Sequence, residues 1–373
     1  MNILILAPAN NIHTQRWVIS LAKYPLNICL FSLEQNTTEQ YAEYPNIRVE
    51  SSNFIVTGTV GINRLRYLRT LPRLKKIIKE FKPNIVHAHY ASSYGLLGAL
   101  ANSHPYILSV WGSDVYDFPK ISFLHRSVLK YVLRKADKIL STSHIMAKET
   151  QQYTSKEISV TPFGVDTSLF KKLPNAKKDE CFVVGNVKTL SAKYGIDILI
   201  KAFNILVLNN SNRSLRLDIL GQGPDRNKLE ALVQELGLTA KVRFLGFIRN
   251  SELPQYYNSF SVAASLSVWN SESFGVVAVE AMACECPVIT SDADGFTEVV
   301  DNNVTGIIVP KYDVAAAAAA MQRFLNNPDL TAHMGEAGRR RVINNYDWSD
   351  NVKLMYNIYQ NVINNNFNPC NKN

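Results

Sequence analysis

The sequence lacks the long apolar runs that membrane-spanning proteins carry. No stretch of the 373 residues approaches the roughly 18 to 20 apolar positions that a helix needs to cross a bilayer. The opening residues Met1–Pro8 also lack the positively charged start of a signal peptide. We therefore expect a cytoplasmic protein in which Asn2–Ala7 forms a buried first strand.

Cysteines and glycine-rich nucleotide motifs are also scarce. The five cysteines are odd in number and scattered, which excludes a disulfide framework and suits a reducing compartment: Cys29, Cys181, Cys284, Cys286 and Cys370. The first apolar run is not followed by G-x-G-x-x-G, and no P-loop occurs. A typical nicotinamide or flavin fold and a P-loop nucleotidase are therefore excluded.

What the chain does contain is enough apolar material for two domains. Hydrophobic residues make up 46% and charged residues 19%, and short β-branched runs alternate with amphipathic stretches, which is typical of parallel sheets. The predicted strands of the first half are 2–7, 27–33, 47–50, 84–89, 106–110, 138–142 and 158–161. Those of the second half are 181–187, 216–220, 242–247, 260–266, 287–290 and 306–309.

This alternation predicts an α/β protein of two Rossmann-like, doubly wound domains facing a central cleft. We place the first domain at residues 1–170 and the second at 171–347, with a polar linker at Lys171–Asp179. A helix at Trp348–Ile363 is expected to pack back on the first domain, within a terminal segment taken as 348–365. The Asn-rich residues 364–373 read as a frayed end.

Positive charge is concentrated in the first half. Residues 1–170 hold 19 Lys and Arg against 11 Asp and Glu, whereas residues 171–373 hold 21 against 20. Such asymmetry indicates an anionic partner. The cations are densest in Arg64–Lys82, where the apolar spacing predicts a basic amphipathic helix with a kink at Pro72. A solvated helix face and docking on a membrane surface both remain open for it.

The strongest motif is Glu272-Ser273-Phe274-Gly275-Val276 followed by Glu280. It predicts one carboxylate in a loop, a tight turn at Gly275, and a second carboxylate inside the next helix. The first amides of that helix, at Gly275 and Val276, suit a phosphate. A diphosphate carrying a sugar on one side and a ribose on the other fits this layout, with carboxylates accepting hydroxyl protons at both ends.

These residues resemble a known family, the retaining glycosyltransferase family 4 (glycosyl transferases group 1), which has the GT-B fold. Its E-x7-E pattern is matched by Glu272 and Glu280. Further matches are Leu220–Pro224, Phe244–Phe247, Glu298–Val300, Thr305-Gly306 and, more weakly, Gly112–Asp114, Ala136–Ile139 and Phe163–Asp166.

The resemblance implies roles for individual residues. The first Glu would contact the donor sugar and the second the ribose, while Lys188 and Lys193 would neutralise the donor diphosphate, with Tyr194 inserted before Gly195. The catalytic set is then Glu272, Lys188 and Lys193. The donor-binding set adds Gly221, Phe247, Ile248, Ser273, Phe274, Gly275, Val276 and Glu280. Two lysines can meet the leaving charge without a metal or other cofactor, and Asp292-Ala293-Asp294 is discounted as a metal motif.

The first half departs from the family pattern. Asn10–His13 replaces a Gly-rich loop, and Trp111 stands where many members have His. We expect the acceptor to contact Asn11, His13, Arg16, His89, Trp111 and Asp114. For the loop after the first strand, the alternative is a solvated loop in which His13 and Thr14 are helix-start residues. Glu285 stands where the family usually has Gly, and the sequence offers no reason for it.

The predicted activity is retaining transfer of a hexose or N-acetylhexosamine from a nucleotide sugar, expected to be a UDP-sugar. The acceptor would be a saccharide or lipid-linked saccharide of bacterial surface polysaccharide, such as capsule or lipopolysaccharide, at the anionic inner face of the cytoplasmic membrane. A UDP-sugar 2-epimerase and a non-catalytic nucleotide-sugar-binding subunit are the alternatives. Nucleic acid is not expected as a partner, because no basic and aromatic module supports it.

Overall fold

The computed structural model describes residues 1–34, 38–52, 62–174 and 181–367. The chain divides into two compact units, Met1–Pro162 joined by residues from Asp350 onward, and Phe163–Ser349. The first boundary thus precedes the position at 170 that the sequence indicated. The reason is local pairing, because Val165 exchanges backbone hydrogen bonds of 2.9 Å with Tyr346 and Trp348. The expected linker at 171–179 lies partly outside the described residues.

The described residues of the first unit form a parallel sheet of seven strands. These are β1 (Asn2–Leu6), β2 (Asn27–Ser32), β3 (Ile47–Ser51), β4 (Ile85–His89), β5 (Tyr106–Val110), β6 (Lys138–Ser141) and β7 (Ile158–Val160). Their spatial order is β3-β2-β1-β4-β5-β6-β7, and Leu4 lies opposite both Cys29 and Val86 in the register. The order reverses beside β1, as in doubly wound dinucleotide-binding sheets.

In the part of the first unit that the structure describes, seven α-helices connect these strands. They are α1 (Ile12–Leu21), α2 (Leu71–Phe81), α3 (Ser93–Ala101), α4 (Ser113–Tyr116), α5 (Phe118–Ile121), α6 (Phe123–Lys135) and α7 (His144–Thr150). Polar caps set several of their starts: Asn11 Oδ1 accepts the amide of His13 at 2.9 Å, and Ser143 Oγ accepts that of Met146 at 3.2 Å. A short 3-10 turn also occurs at Glu39–Tyr41.

The prediction of one basic helix across Arg64–Lys82 was wrong in its first half. Residues Ile62–Thr70 form a 3-10 helix, and the α-helix α2 begins only at Leu71. Pro72 lies in the first turn of α2, where its missing N–H has no helical partner to lose. Pro72 therefore lies in the first turn of α2 instead of bending the helix.

The second unit repeats the same plan with six parallel strands. They are β8 (Phe182–Val187), β9 (Leu215–Leu220), β10 (Val242–Gly246), β11 (Val262–Ser265), β12 (Val288–Ser291) and β13 (Gly306–Val309). Their order is β10-β9-β8-β11-β12-β13. Each of the thirteen strands expected from the sequence is confirmed, with ends shifted by at most two residues. The two Rossmann-like sheets confirm the predicted α/β class.

The helices of the second half complete the fold. They are α8 (Ile196–Asn209), α9 (Arg226–Glu235), α10 (Leu253–Ser259), α11 (Val276–Ala283), α12 (Asp294–Val299), α13 (Val314–Asn326), α14 (Pro328–Asn345) and α15 (Trp348–Phe367). Short 3-10 turns lie at Ala192–Tyr194 and Asn250–Glu252. Within the described ranges, no helix is both long enough and apolar enough to cross a bilayer.

The last helix, α15, packs against the sheet of the first unit. The Tyr359 hydroxyl lies 2.7 Å from Nδ1 of His87 on β4, and the ring of Tyr356 lies 4.5 Å from that of Tyr24. Tyr359 is fully buried. A C-terminal segment thus supplies part of the core of the N-terminal unit.

The structure explains why the chain turns sharply at Glu285. Its φ angle is +57°, in the left-handed region where glycine carries no steric cost. The carboxylate forms an ion pair of 2.7 Å with Lys172. Glu285 thus keeps the backbone conformation that is typical of glycine, and its side chain is held by the ion pair with Lys172.

Candidate functional site

Two residues predicted to be catalytic meet at the reversal of strand order in the second unit. Lys188 directly follows β8, Glu272 lies in the loop after β11, and β8 and β11 are adjacent strands. The Lys188 ammonium lies 2.6 Å from Glu272 Oε2, with both side chains largely buried. Ser267 donates to the same oxygen at 3.0 Å. Ligands of open α/β sheets bind at this position, because strand ends and helix starts converge there.

Lys193 joins this group through an aromatic ring. The ring of Tyr194 has the ammonium of Lys188 and that of Lys193 each 4.8 Å from its centroid. A face approached by two cations attracts both. Tyr194 therefore positions the two lysines as a pair, and the sequence prediction missed this role although the inserted residue was noticed. Ser267 was missed as well, and its short polar side chain gave no signal in the sequence.

The strand end beside Lys188 requires glycine at position 221. Gly221 has a φ angle of +138°, and a Cβ there would collide with the carbonyl oxygen of Lys188. Gly221 donates its amide to Gly246 at 2.7 Å, while Lys188 donates to Leu220 at 2.9 Å. Gly221, predicted to bind the donor, thus lies directly against the backbone of Lys188, and its lack of a side chain allows this close approach.

Helix α11 begins where the motif predicted. Gly275 precedes it with a φ angle of +81°, and Val276 is its first residue. The first amides of a helix have no carbonyl partner within the helix and form a positive end. Ser273 and Phe274 lead into this start and are both buried. The Phe274 ring packs edge-on against Phe163 and Tyr346, so its side chain belongs to the core.

Glu280, the second carboxylate, lies inside α11 and is buried. Its Oε2 accepts the hydroxyl of Tyr257 at 3.0 Å, and its Oε1 accepts from the Asn250 side chain at 3.2 Å. Both partners were missed by the sequence prediction because they are more than twenty residues away. Ribose binding by Glu280 stays a prediction, and these two donors fix where its carboxylate points.

Phe247 and Ile248 follow the end of β10. Phe247 is exposed, and Ile248 is partly buried. An exposed aromatic ring at the carboxyl end of a parallel strand offers a stacking surface. Their role in donor binding stays a prediction that this position favours.

Several residues expected to bind the acceptor gather around Trp111 in the first unit. The Trp111 ring lies 4.6 Å from that of His89, 4.9 Å from that of Tyr90 and 6.1 Å from that of His13. Asn11 caps α1, and its side chain accepts the backbone amide of His13. Arg16 lies one helical turn beyond His13, is partly buried, and stays a predicted contact.

His89 is nearly fully buried at the end of β4. Burial, aided by the neighbouring His87, holds the pKa of His89 well below its usual range, so the ring is neutral. Within the described part of the chain, Nδ1 of His89 has no hydrogen-bond partner. A neutral imidazole with one unpaired nitrogen can accept or donate one hydrogen bond to a hydroxyl.

Asp114 serves the backbone first. Its carboxylate accepts the amides of Ala91 at 2.7 Å, Gly112 at 2.8 Å and Trp111 at 3.1 Å. Burial raises the pKa of Asp114, and these hydrogen bonds oppose the rise. The side chain thereby ties together the loops that follow β4 and β5. Direct acceptor contact by Asp114 stays a prediction.

Comparisons with known proteins agree with this geometry. Residues 167–341 match the family model described as glycosyl transferases group 1, and residues 2–143 match one described as glycosyl transferase 4-like. The chain belongs to the group 1 glycosyl transferases. This confirms the family and the GT-B fold expected from the motif around Glu272 and Glu280.

Two known glycosyltransferases and one solved structure resemble the chain over most of its length. An uncharacterized glycosyltransferase of Methanocaldococcus jannaschii is 28% identical over 320 residues, covering 83% of this chain and 86% of that protein. A GDP-mannose-dependent phosphatidylinositol monomannoside mannosyltransferase of Mycolicibacterium smegmatis is 28% identical over 298 residues, covering 74% and 76%. The solved structure of Anabaena HepE in complex with UDP has a TM-score of 0.82 at 20% identity, covering 97% and 100%.

The Asp292-Ala293-Asp294 segment of this glycosyltransferase is occupied by other contacts. Asp292 Oδ1 accepts the amide of Lys311 at 3.0 Å and lies 3.9 Å from its ammonium. Asp294 begins α12. In the described ranges, no three or more His, Cys, Asp or Glu side chains are arranged to hold a metal ion.

Proposed function

We propose that this glycosyltransferase moves a hexose or N-acetylhexosamine from a UDP-sugar to a saccharide or lipid-linked acceptor in bacterial surface polysaccharide synthesis, with retention of configuration and without a metal. The observation that carries the proposal is the pairing of Lys188 and Lys193 around Tyr194, directly beside Glu272. Two cations at a strand-order reversal complement the negative charge of a diphosphate, and the carboxylate beside them can accept sugar hydroxyls.

In the proposed reaction the bond between the anomeric carbon and the phosphate oxygen breaks, and its electron pair stays on the diphosphate. Lys188 and Lys193 stabilise the negative charge that develops on the diphosphate in the transition state. Glu272 accepts a hydroxyl of the donor sugar and orients it. For retention, the acceptor hydroxyl attacks the face that the diphosphate leaves and passes its proton to the departing phosphate oxygen.

The proposed acceptor site is the group around Trp111, with Asn11, His13 and His89. An aromatic ring and neutral polar groups suit a sugar, because the ring covers an apolar sugar face while the polar atoms bond its hydroxyls. The proposed place of action is the cytoplasmic face of a membrane, where the basic first unit would meet anionic lipid.

The test measures nucleoside diphosphate released from UDP-, GDP- and ADP-sugars, with and without a lipid extract. We expect UDP-sugar turnover that needs acceptor, and a loss of at least a hundredfold in Glu272→Ala and Lys193→Ala, since each removes a charge at the reacting centre. The exposed residues Glu235 and Lys228 of α9 supply matched charge-removing controls, Glu235→Ala and Lys228→Ala.

Other outcomes would replace the proposal. Conversion of a UDP-sugar to its 2-epimer without acceptor indicates the epimerase alternative. Tight nucleotide-sugar binding without turnover in any extract, weakened by both site variants, indicates a non-catalytic subunit. Turnover that survives in Lys193→Ala contradicts the assigned role of the lysine pair.

A further inference from the structure

The junction of α5 and α6 carries a cluster of exposed apolar side chains. Ile121, Phe123 and Leu124 are 55%, 83% and 60% exposed. Ser122 lies between them and caps α6, its hydroxyl accepting the amide of His125 at 3.4 Å. We call Ile121, Phe123 and Leu124 the apolar tip. Three large apolar residues open to water within four positions are unusual in a folded domain and mark an interaction surface.

The charged residues that flank the apolar tip and follow it along α6 are all positive. The segment 118–136 contains no Asp or Glu and five cations, Lys120, Arg126, Lys130, Arg134 and Lys135. Phe123, Ser127, Lys130 and Arg134 are all exposed and recur at helical spacing, so they share one outward face. The opposite face holds the buried residues Leu129, Val132 and Leu133.

A polar pocket of about 420 Å³ lies beside this face. It is lined by Ser127, Lys130, Tyr131, Arg134, Tyr153, Thr154, Ser155 and Lys156. Arg134 lies 5.7 Å from the centre of the Tyr131 ring, and Arg126 lies 5.7 Å from that of Tyr153. Lys156 donates to the carbonyl of Arg134 at 2.7 Å, which brings a third cation to the end of α6. The pocket thus combines cations and hydroxyls without a carboxylate in its lining.

We propose that α6 docks on an anionic phospholipid bilayer, with the apolar tip in the acyl–headgroup boundary and the pocket over lipid phosphates. Such a pattern of apolar residues beside cations is typical of helices that lie in a membrane interface. Phe123 and Arg134 are separated by about 16 Å along the axis at 1.5 Å per residue. Both ends reach one surface only if α6 lies along the membrane plane.

The other basic helix fits this role less well. On α2 the apolar residues Leu74 and Ile77 are buried, and Arg73 is paired with Glu50 at 3.0 Å. Helix α3 packs between α2 and α6, so α2 belongs to the same helical layer. It would add positive charge near the surface, whereas α6 supplies the inserted residues.

The test is flotation with phosphatidylcholine vesicles that contain or lack 30 mol% phosphatidylglycerol. We expect binding only to the anionic vesicles. The double variant Lys130→Glu/Arg134→Glu should weaken it at least twentyfold, since each cation near such a surface contributes about fivefold. Phe123→Ser/Leu124→Ser should weaken it by at least tenfold. Both pairs are exposed, so folding is preserved, and Leu208→Ser and Lys228→Glu are matched exposed controls.

The inference rests on the proposed function only in giving a reason for membrane docking. Flotation measures vesicle binding without turnover, so it can fail or succeed independently of the transfer reaction. Loss of vesicle binding together with unchanged transfer to a soluble acceptor supports docking by α6. Binding that survives both double variants but is lost in Arg73→Glu/Lys76→Glu would overturn the assignment in favour of α2. Absence of binding by the native chain would refute docking on lipid. A change of oligomeric state in the Phe123→Ser/Leu124→Ser variant would show that the tip covers protein instead of lipid.

Discussion

At the scale of single residues, Tyr194 determines how two positive charges are held next to each other. The Lys188 and Lys193 ammonium groups each lie 4.8 Å from the centre of its ring, so part of their mutual repulsion is offset by the negative charge of the ring face. Lys188 is further balanced by Glu272, whereas among the described residues no carboxylate forms an ion pair with Lys193. The ring is therefore the contact through which the second lysine is positioned.

We expect Tyr194→Ala to raise the KM for the nucleotide sugar about tenfold, since two cation–π contacts of roughly 0.5–1 kcal/mol each are lost. Tyr194→Phe keeps the ring and should stay within about twofold of the native chain. Steady-state kinetics on a fixed acceptor measure both. Equal KM values for the Ala and Phe variants would contradict a positioning role for the ring.

Glu285 gives a second prediction at this scale. Its left-handed backbone costs about 1 kcal/mol for a residue with a Cβ, and its half-exposed ion pair with Lys172 returns about 0–1 kcal/mol. We expect Glu285→Gly to leave the free energy of unfolding equal or up to about 1 kcal/mol higher, as measured by urea denaturation. Glu285→Ala keeps the strain, loses the pair and should be less stable than the native chain. Destabilisation by glycine greater than by alanine would refute this account.

At the scale of elements, one hydrogen-bonded chain joins the C-terminal helix to the first sheet. His87 on β4 contacts the Tyr359 hydroxyl of α15 at 2.7 Å and the Ser109 hydroxyl of β5 at 2.8 Å. Burial lowers the pKa of His87 from 6.5 to about 3. The ring is therefore neutral at physiological pH, and the polar contacts of α15 are made to an uncharged core.

Acid should weaken this junction. Below pH 6.5 the unfolded chain binds a proton at His87, whereas the folded chain does not bind it until about pH 3. The free energy of unfolding therefore falls with decreasing pH, by up to about 1.4 kcal/mol per pH unit. The buried His89 acts in the same direction. We expect His87→Gln to reduce this slope between pH 7.5 and 5.5, measured by urea unfolding. The exposed His333, changed to Gln, is the control that should leave the slope unchanged.

At the scale of the whole molecule, both units use the same strand order around a reversal point. In the second unit that reversal places Lys188 and Glu272 on neighbouring strand ends although they are far apart in sequence. In the first unit the corresponding strand ends carry His89 and the start of α1. The family's chemistry thus depends on a topology that repeats, while the residues at each reversal differ.

The amino-acid sequence determined the strands, the E-x7-E motif and the glycine-dependent helix start at Gly275, because each depends on local periodicity or on residues close in the chain. It also indicated the lysine pair. Tertiary structure alone decided the contacts of both lysines with the Tyr194 ring, the Tyr257 and Asn250 contacts of Glu280, the backbone hydrogen bonds of Asp114 and the exposure of Phe123. The division of Arg64–Lys82 into a 3-10 segment and α2 was likewise not foreseen. Burial and pairing between distant residues depend on packing, which a periodic pattern does not specify.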